Sequence, residues 1–195
     1  MDKRLKKDQG KLKLFKKFGY DILRAREQIV SGADLSGTIL EVGTGKGHLL
    51  VALAQKGLRV VSIDMDRKQQ SVARANLKAK RLGNLAKLKI MNAEQLIFKD
   101  GTFDGVISVN FLHHAHNPLR CVKEMVRVAK NILVLADLNK KGERIMDKVN
   151  ALEGHSHPRS KVAFKALKVF LEKSGMRVKT YRGVCETALI ARKEE

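Results

Sequence analysis

The stretch TILEVGTGKGHLLVALAQKG, residues 38–57, decides the fold of this chain of 195 residues. It opens with an apolar run rich in β-branched residues and then places glycines at alternate positions, Gly43, Gly45 and Gly47. An apolar run with helical spacing follows. This order predicts a strand, a tight turn and a helix, and the glycines allow a ligand to approach the backbone closely.

Segments with strand and helix periodicity alternate along the rest of the chain. The predicted strands are residues 38–42, 59–64, 86–93, 103–110, 131–138, 176–183 and 185–193. The predicted helices are one N-terminal helix carrying Leu12 to Ile29, then 47–55, 67–81, 118–129, 140–152 and 161–173, with a short helical turn near Glu94–Ile97. Strands alternating with helices predict a doubly wound α/β fold with a mostly parallel seven-stranded sheet. The last two strands have no helix between them and are expected to form an antiparallel terminal hairpin.

We expect residues 1–34 to form a helical cap and residues 35–195 to form the ligand-binding domain. The chain contains 40 Lys and Arg against 20 Asp and Glu, a net charge of +20. This charge makes RNA a candidate partner, although it can equally serve solubility alone. Aromatic residues are only 5% of the chain, which is poor material for stacking single-stranded bases.

No apolar run approaches the roughly 20 residues that a membrane-spanning helix needs. The two cysteines, Cys121 and Cys185, have no motif spacing and indicate no disulfide framework. We therefore expect a cytoplasmic protein without a membrane partner.

The residues after the glycines narrow the choice of ligand. A phosphate-binding P-loop needs a hydroxyl after its lysine, but Lys46 is followed by Gly47 and His48. A dinucleotide fingerprint needs the spacing G-x-G-x-x-G, so the G-x-G-x-G spacing here disfavours NAD or a flavin. Lys46 is then expected to be a surface residue without a ligand. Asp64 ends the second predicted strand, where an acid can accept hydrogen bonds from both ribose hydroxyls.

The ends of the next two predicted strands carry further polar candidates. Asn92 follows the third strand and could bind the edge of a purine. The segment SVNFLHH, residues 108–114, follows the fourth strand and is expected to flank the reacting end of the ligand. Asp104 begins the fourth strand, at the opposite end of the sheet, and is therefore expected to be structural.

Four segments together resemble a known family. EVGTGKG (residues 41–47), ID (63–64), NAE (92–94) and TFDGVISVNFLHHAHNP (102–118) are similar to motifs I to IV of class I S-adenosylmethionine-dependent methyltransferases of the methyltransferase domain 11 type. The resemblance extends over roughly residues 35–193 and implies a Rossmann-like methyltransferase fold. It also implies S-adenosylmethionine as the cofactor. The cofactor-binding positions that it implies are Glu41, Gly43, Thr44, Gly45, Asp64, Met65, Asn92, Ala93, Asn110 and Phe111.

The resemblance also implies a role for several of these residues. Glu41 would hold the amino group of the methionyl part, and Asp64 would hold the ribose. Met65 would pack on the adenine, and Asn92 stands where the family commonly has an aspartate. Asn110 and Phe111 would lie beside the methyl donor.

The histidines offer two hypotheses. His113 and His114 are candidate catalytic bases, because a neutral imidazole can take a proton from a hydroxyl or an amine near neutral pH. A metal site is not predicted, because neither this pair nor His155 and His157 have a cysteine or acid at a known ligand spacing. The N-terminal helix (residues 12–30), the loop 111–118 and the insert 139–161 are expected to shape the acceptor site.

The sequence therefore predicts an S-adenosylmethionine-dependent methyltransferase that acts on a small molecule. The S/D/N-P-P-Y/F motif used on exocyclic amines of bases and on glutamine is absent, and two isolated cysteines argue against an arsenite methyltransferase. An RNA methyltransferase, acting on tRNA or rRNA, is the main alternative. A non-catalytic nucleotide-binding protein or an oxidoreductase with the same fold is a third.

Overall fold

The computed structural model describes residues 2–154, 156 and 163–194. In this part of the chain, seven strands form one sheet in the order β3-β2-β1-β4-β5-β7-β6. The strands are β1 (Thr38–Val42), β2 (Arg59–Asp64), β3 (Ala86–Ile90), β4 (Phe103–Val109), β5 (Ala129–Leu138), β6 (Met176–Arg182) and β7 (Glu186–Lys193). The first five are parallel, whereas β7 runs antiparallel to both β5 and β6. The predicted fold class, including the terminal hairpin, is confirmed.

Helices cover both faces of the sheet. They are α1 (Lys3–Lys17), α2 (Ile22–Ala33), α3 (His48–Gln55), α4 (Arg67–Ala79), α5 (Pro118–Val128), α6 (Lys140–Ala151) and α7 (Phe164–Lys173). Helices α2, α3 and α4 bury apolar residues against one face, and α5 and α7 do so against the other. A third apolar cluster joins α1, the start of α2, α6 and the turn between β6 and β7. This third cluster holds α1 and α6 together beside the carboxyl ends of the parallel strands.

Two local predictions are wrong. The chain forms two N-terminal helices instead of one, because Gly19 adopts a positive φ of 91° and Asp21 caps the new helix by accepting from the N–H of Arg24. No helical turn forms near Glu94–Ile97. There the side chain of Asn92 accepts the N–H of Glu94 at 2.9 Å, which favours a local turn over a helix.

The remaining expectations concern Asp104, the late histidines and the membrane. Asp104 is structural, as predicted, because its Oδ2 accepts the N–H of Thr38 at 2.8 Å at the amino end of the sheet. His155 and His157 lie outside the described residues. No helix in the described ranges is long and apolar enough to cross a membrane, and the cytoplasmic location stays a prediction.

Candidate active site

A cavity of about 890 Å³ lies at the carboxyl ends of β1, β2 and β4. All ten predicted cofactor-binding residues line it, together with His113 and His114. Residues of α1, α2 and α6 complete the wall on the other side, among them Leu12, Phe15 and Met146. The structure therefore brings every sequence-predicted site residue to one cavity.

The three glycines of the loop after β1 do different things. A Cβ on Gly43 would lie 2.7 to 2.8 Å from Phe111, and a Cβ on Gly47 would lie 2.7 Å from the Cβ of Ala73 in α4. These two glycines allow close packing within the protein. At Gly45 no atom lies within 4 Å of the position of a Cβ, although its φ of +48° also suits glycine. Gly45 is thus where a ligand can approach the loop.

Glu41 lies fully buried beneath this loop. Its Oε2 accepts a hydrogen bond from Ser62, whose hydroxyl is 2.6 Å from that of Thr44. Its Oε1 has no hydrogen-bond partner among the described residues. Burial raises the pKa of Glu41 to about 8, although the Ser62 hydrogen bond and the charge of Arg26 act in the opposite direction. A buried carboxylate oxygen in a cavity wall suits a cationic donor such as an ammonium group.

Asp64 ends β2 at the rim of the same cavity. Its Oδ2 accepts the N–H of Gly45 at 2.8 Å, and its Oδ1 accepts the N–H of Asp66 at 2.9 Å. Each carboxylate oxygen can accept a second hydrogen bond, so a pair of hydroxyl donors still fits.

Next to Asp64, Met65 is 65% exposed, whereas Ala93 is buried. Asn92 also lines the cavity, and its amide oxygen accepts the N–H of Glu94 in the turn after β3. The amide NH₂ of Asn92 can donate to the edge of a heterocycle, and the exposed, polarizable Met65 side chain can pack against its face.

His113 lies in a 3₁₀ turn, Leu112–His114, directly after β4. Its Nδ1 is 2.7 Å from Oδ1 of Asp137, and both side chains are 2% exposed. Asp137 lies in β5, beside β4, and its Oδ1 also accepts the N–H of Leu138 at 2.9 Å. A carboxylate at Nδ1 holds the proton there, so Nε2 is the basic atom of the ring. His114 is exposed, and its ring centroid lies 4.1 Å from that of His113.

An ion-pair cluster, which we call the α1 anchor, holds α1 over the cavity. Buried Asp8 of α1 lies 2.8 Å from Nε2 of His48 and 3.1 Å from Nζ of Lys46, and it accepts from the amide of Asn76 at 3.2 Å. Burial raises the pKa of Asp8, but the His48 hydrogen bond and the charges of His48 and Lys46 outweigh burial and lower it to about 2. Lys46 is partly exposed and pairs with Asp8, a contact that the sequence does not predict. It ties the glycine loop to α1.

A second buried cluster fixes α2 and the turn before it. Tyr20 and Arg26 both donate hydrogen bonds to Glu186 in β7. The amide nitrogen of Asn110 donates to the Tyr20 hydroxyl and to Oε1 of Glu186, each at 3.0 Å. Asn110 itself has a φ of +54°, which turns the chain sharply after β4.

Sequence reasoning missed most members of these clusters. Asp137, Glu186 and Arg26 lie in ordinary strand and helix patterns, and no local motif marks them. Asp8 alone carried a signal, because it is the only acidic residue in the strongly basic Lys3–Lys17. In the ranges that the structure covers, no group of three or more His, Cys, Asp or Glu side chains could hold a metal ion.

The sheet order, the glycine loop and the acid at the end of β2 define a doubly wound protein with a nucleoside-type site at its switch point. The family model for a methyltransferase domain matches residues 40–133. These residues run from β1 to β5 and include the glycine loop, Asp64 and the turn Leu112–His114, so this part of the chain is similar to a methyltransferase domain.

Curated relatives match about half of the chain. Phosphatidylethanolamine N-methyltransferase of Cereibacter sphaeroides is 34% identical over 94 residues, which are 48% of this chain and 46% of that protein. Norajmaline N-methyltransferase of Rauvolfia serpentina is 30% identical over 92 residues, which are 47% of this chain and 32% of that protein. The chain thus spans between a third and a half of the length of these relatives.

Solved structures share the fold over a longer range. A SAM-dependent methyltransferase from Thermotoga maritima superposes with a TM-score of 0.71 at 17% identity, covering 98% of this chain and 97% of that one. Magnesium protoporphyrin IX methyltransferase from Synechocystis, with bound SAH, superposes with a TM-score of 0.66 at 20% identity, covering 88% and 81%. At these identities the similarity establishes the fold alone.

Proposed function

We propose that this chain transfers a methyl group from S-adenosylmethionine to a small-molecule acceptor. One observation carries the proposal. The unpartnered Oε1 of Glu41 and the open face of Gly45 meet in a single cavity whose rim is formed by Asp64. An ammonium acceptor, a cradle free of side chains and an acceptor for two hydroxyls match the aminoalkyl chain and ribose of that cofactor.

In this proposal each predicted cofactor-binding residue has a role that is consistent with its position in the cavity. Glu41 accepts the methionyl ammonium, and Gly43, Thr44 and Gly45 line the methionyl chain. Asp64 accepts from the ribose hydroxyls. Met65, Asn92 and Ala93 surround the adenine, while Asn110 and Phe111 line the cavity toward the acceptor. The bound cofactor supplies an electrophilic methyl group, so the protein chiefly has to align the acceptor and exclude water.

The acceptor occupies the part of the cavity beneath α1 and α6. Leu12, Phe15 and Met146 give this part apolar walls, which favour an acceptor with an apolar body. His113 removes the proton of the attacking hydroxyl or amine at Nε2, and the carboxylate of Asp137 stabilises the resulting imidazolium. Residues 1–34 act as the cap that closes this space over the domain formed by 35–195.

The relatives support a small acceptor. Their names describe N-methylation of norajmaline and of phosphatidylethanolamine. RNA as the methyl acceptor stays the alternative suggested by the net charge of +20. Because α1 and α6 both line the cavity, the small molecule is favoured.

Thermal shift with S-adenosylhomocysteine and with NAD tests the cofactor. A ligand that binds only the native state raises the melting temperature, so we expect a shift with S-adenosylhomocysteine and none with NAD. Glu41→Gln should reduce that shift, whereas Asp104→Asn, at the other end of the sheet, should preserve it. A shift with NAD alone would refute the proposal. Methyl incorporation into a panel of apolar amines and phenols then identifies the acceptor class.

A further inference from the structure

One side of the molecule carries a dense run of basic residues. Residues 67–90 contain eight Lys and Arg residues and no Asp or Glu. They form α4, a short 3₁₀ turn and the edge strand β3, and all eight basic residues are exposed. We call this region the β3-edge surface.

The basic residues of the β3-edge surface make no ion pair with any carboxylate that the structure describes. Basic residues elsewhere do so repeatedly, as in Lys168 with Glu172 at 2.5 Å and Arg127 with Glu124 at 2.7 Å. Arg74, Lys78 and Arg81 line a groove of about 590 Å³ together with Asn84 and apolar residues of α4 and β3. Three exposed cations along one groove favour a partner that carries several negative charges.

The groove lies away from the proposed site of methyl transfer. Its walls are the end of α4 and the beginning of β3, whereas the cavity lies at the end of β3, at Met91 and Asn92. A partner in the groove therefore docks on the protein and does not enter the cavity. This inference does not depend on the proposed methyl acceptor.

The side chains that line the groove favour one kind of nucleic acid over another. The described lining of the groove includes no aromatic side chain, so unstacked single-stranded bases find no platform within it. Cationic side chains suit backbone phosphates, and the amide of Asn84 can donate to and accept from a ribose 2′-hydroxyl. We propose that the β3-edge surface binds the sugar-phosphate backbone of double-stranded RNA, without sequence preference.

Fluorescence anisotropy with an RNA duplex of about 20 base pairs tests this proposal. The binding constant is measured from about 50 to about 200 mM salt, for the wild type and for the triple variant Arg74→Gln, Lys78→Gln, Arg81→Gln. Each phosphate contact contributes about one unit to the slope of log K against log salt, so the variant should lower the slope by about 2 to 3. A matched variant that keeps the charge, Arg74→Lys with Arg81→Lys, should retain most of the slope.

The opposite edge of the sheet supplies the control. Lys165, Lys173 and Lys179 are exposed on α7 and β6, so their replacement by Gln removes the same total charge. We expect this control to lower the slope by less than about 1. Equal losses in the two triple variants, or no binding of RNA by the wild type, would overturn the proposal.

A DNA duplex of the same sequence separates the two kinds of backbone. Equal affinity for DNA would overturn the assignment to RNA, because the 2′-hydroxyl would then contribute nothing. All variants should keep the melting temperature and the thermal shift with S-adenosylhomocysteine. If S-adenosylhomocysteine did not raise the melting temperature of the wild type, the proposed function would be refuted. The RNA-binding measurement would still stand.

Discussion

The two walls of the cavity are built in different ways. The donor wall, which consists of Glu41, residues 43–45 and Asp64, comes from adjacent parallel strands and the turns that follow them. The acceptor wall consists of α1, the turn Leu112–His114 and α6, which are separated by up to about 140 residues. Backbone turns shape the donor wall, whereas side-chain pairs hold the acceptor wall together.

Because the two walls are built differently, we expect substitutions in them to affect different steps. Substitutions in the donor wall should change cofactor affinity, because its residues line the proposed cofactor site. Substitutions in the acceptor wall should change turnover and acceptor access while leaving cofactor affinity near the wild-type value. The predictions below test this division, from the largest expected effect to the smallest.

Removing the proposed base should have the largest effect. His113→Asn should lower kcat by about 10²- to 10⁴-fold, because proton removal then falls to water. Cofactor affinity, measured by calorimetry with S-adenosylhomocysteine, should remain unchanged. His114→Asn in the same turn is the control and should lower kcat far less. Similar losses of kcat in the two variants would show that the assignment of His113 as the base is wrong.

Asp137 should act through His113. Asp137→Asn should lower kcat while leaving the affinity for S-adenosylhomocysteine unchanged, because an amide no longer stabilises the imidazolium. The double variant Asp137→Asn, His113→Asn should lose little more than His113→Asn alone, whereas additive losses would indicate a structural role independent of His113.

The glycine loop should respond differently at two neighbouring positions. Gly43→Ala places a Cβ 2.7 to 2.8 Å from Phe111 at a φ of +89°, so the free protein should lose about 1 to 3 kcal/mol of stability along with cofactor binding. Gly45→Ala should weaken cofactor binding by a factor similar to that for Gly43→Ala. Its Cβ meets no protein atom within 4 Å, so Gly45→Ala should lower the free energy of unfolding by less than Gly43→Ala does. Denaturant unfolding and calorimetry separate the two quantities. Equal destabilisation by both variants would contradict the assignment of Gly45 to ligand approach.

Glu41 should make cofactor binding depend on pH. Its pKa of about 8 lies above the value of 4.5 for an exposed glutamate, so the free folded protein holds a proton there that an incoming ammonium must displace. Affinity for S-adenosylhomocysteine should therefore rise with pH up to about 8, by at most about tenfold per unit. The same raised pKa means that Glu41 favours folding at low pH, and this contribution falls as pH rises from about 4.5 to about 8. Glu41→Gln should flatten both dependences.

The α1 anchor should have the smallest effect on chemistry. Asp8→Asn removes the anion between Lys46 and His48 and should cost about 1 to 3 kcal/mol, with a rise in the KM for the acceptor of several-fold. Because the pKa of Asp8 is lowered to about 2, its stabilisation is complete above about pH 4 and is lost as the pH falls toward 2. Asp2→Asn at the exposed start of α1 is the control, with little expected effect. If Asp8→Asn weakened cofactor binding by the same factor as it raised the KM for the acceptor, the division between the walls would be contradicted.

The same division explains what the sequence could predict. The strands, the sheet class and the donor wall follow from patterns that are local: alternating periodicity, Gly43 to Gly47, and an acid at the end of β2. The acceptor wall depends on pairs such as Asp8 with His48 and Tyr20 with Glu186, which join residues 40 and 166 positions apart. No local pattern predicts such a pair, since each partner is an ordinary polar residue until the fold brings them together. The prediction of a single N-terminal helix was wrong for a similar reason. The helical spacing of its apolar residues continues across Gly19, but the helical backbone ends there.

The position of β7 has a consequence for the order in which the molecule is completed. This strand is the last of the described chain, yet it lies inside the sheet, between β5 and β6. Its Glu186 is the acceptor that Tyr20 and Arg26 share, 166 and 160 residues away. On a ribosome, the first two helices therefore emerge long before their partner exists, and pairing over such sequence distance is slow. Until β7 has been inserted, Tyr20 and Arg26 therefore lack the carboxylate to which both donate in the folded chain.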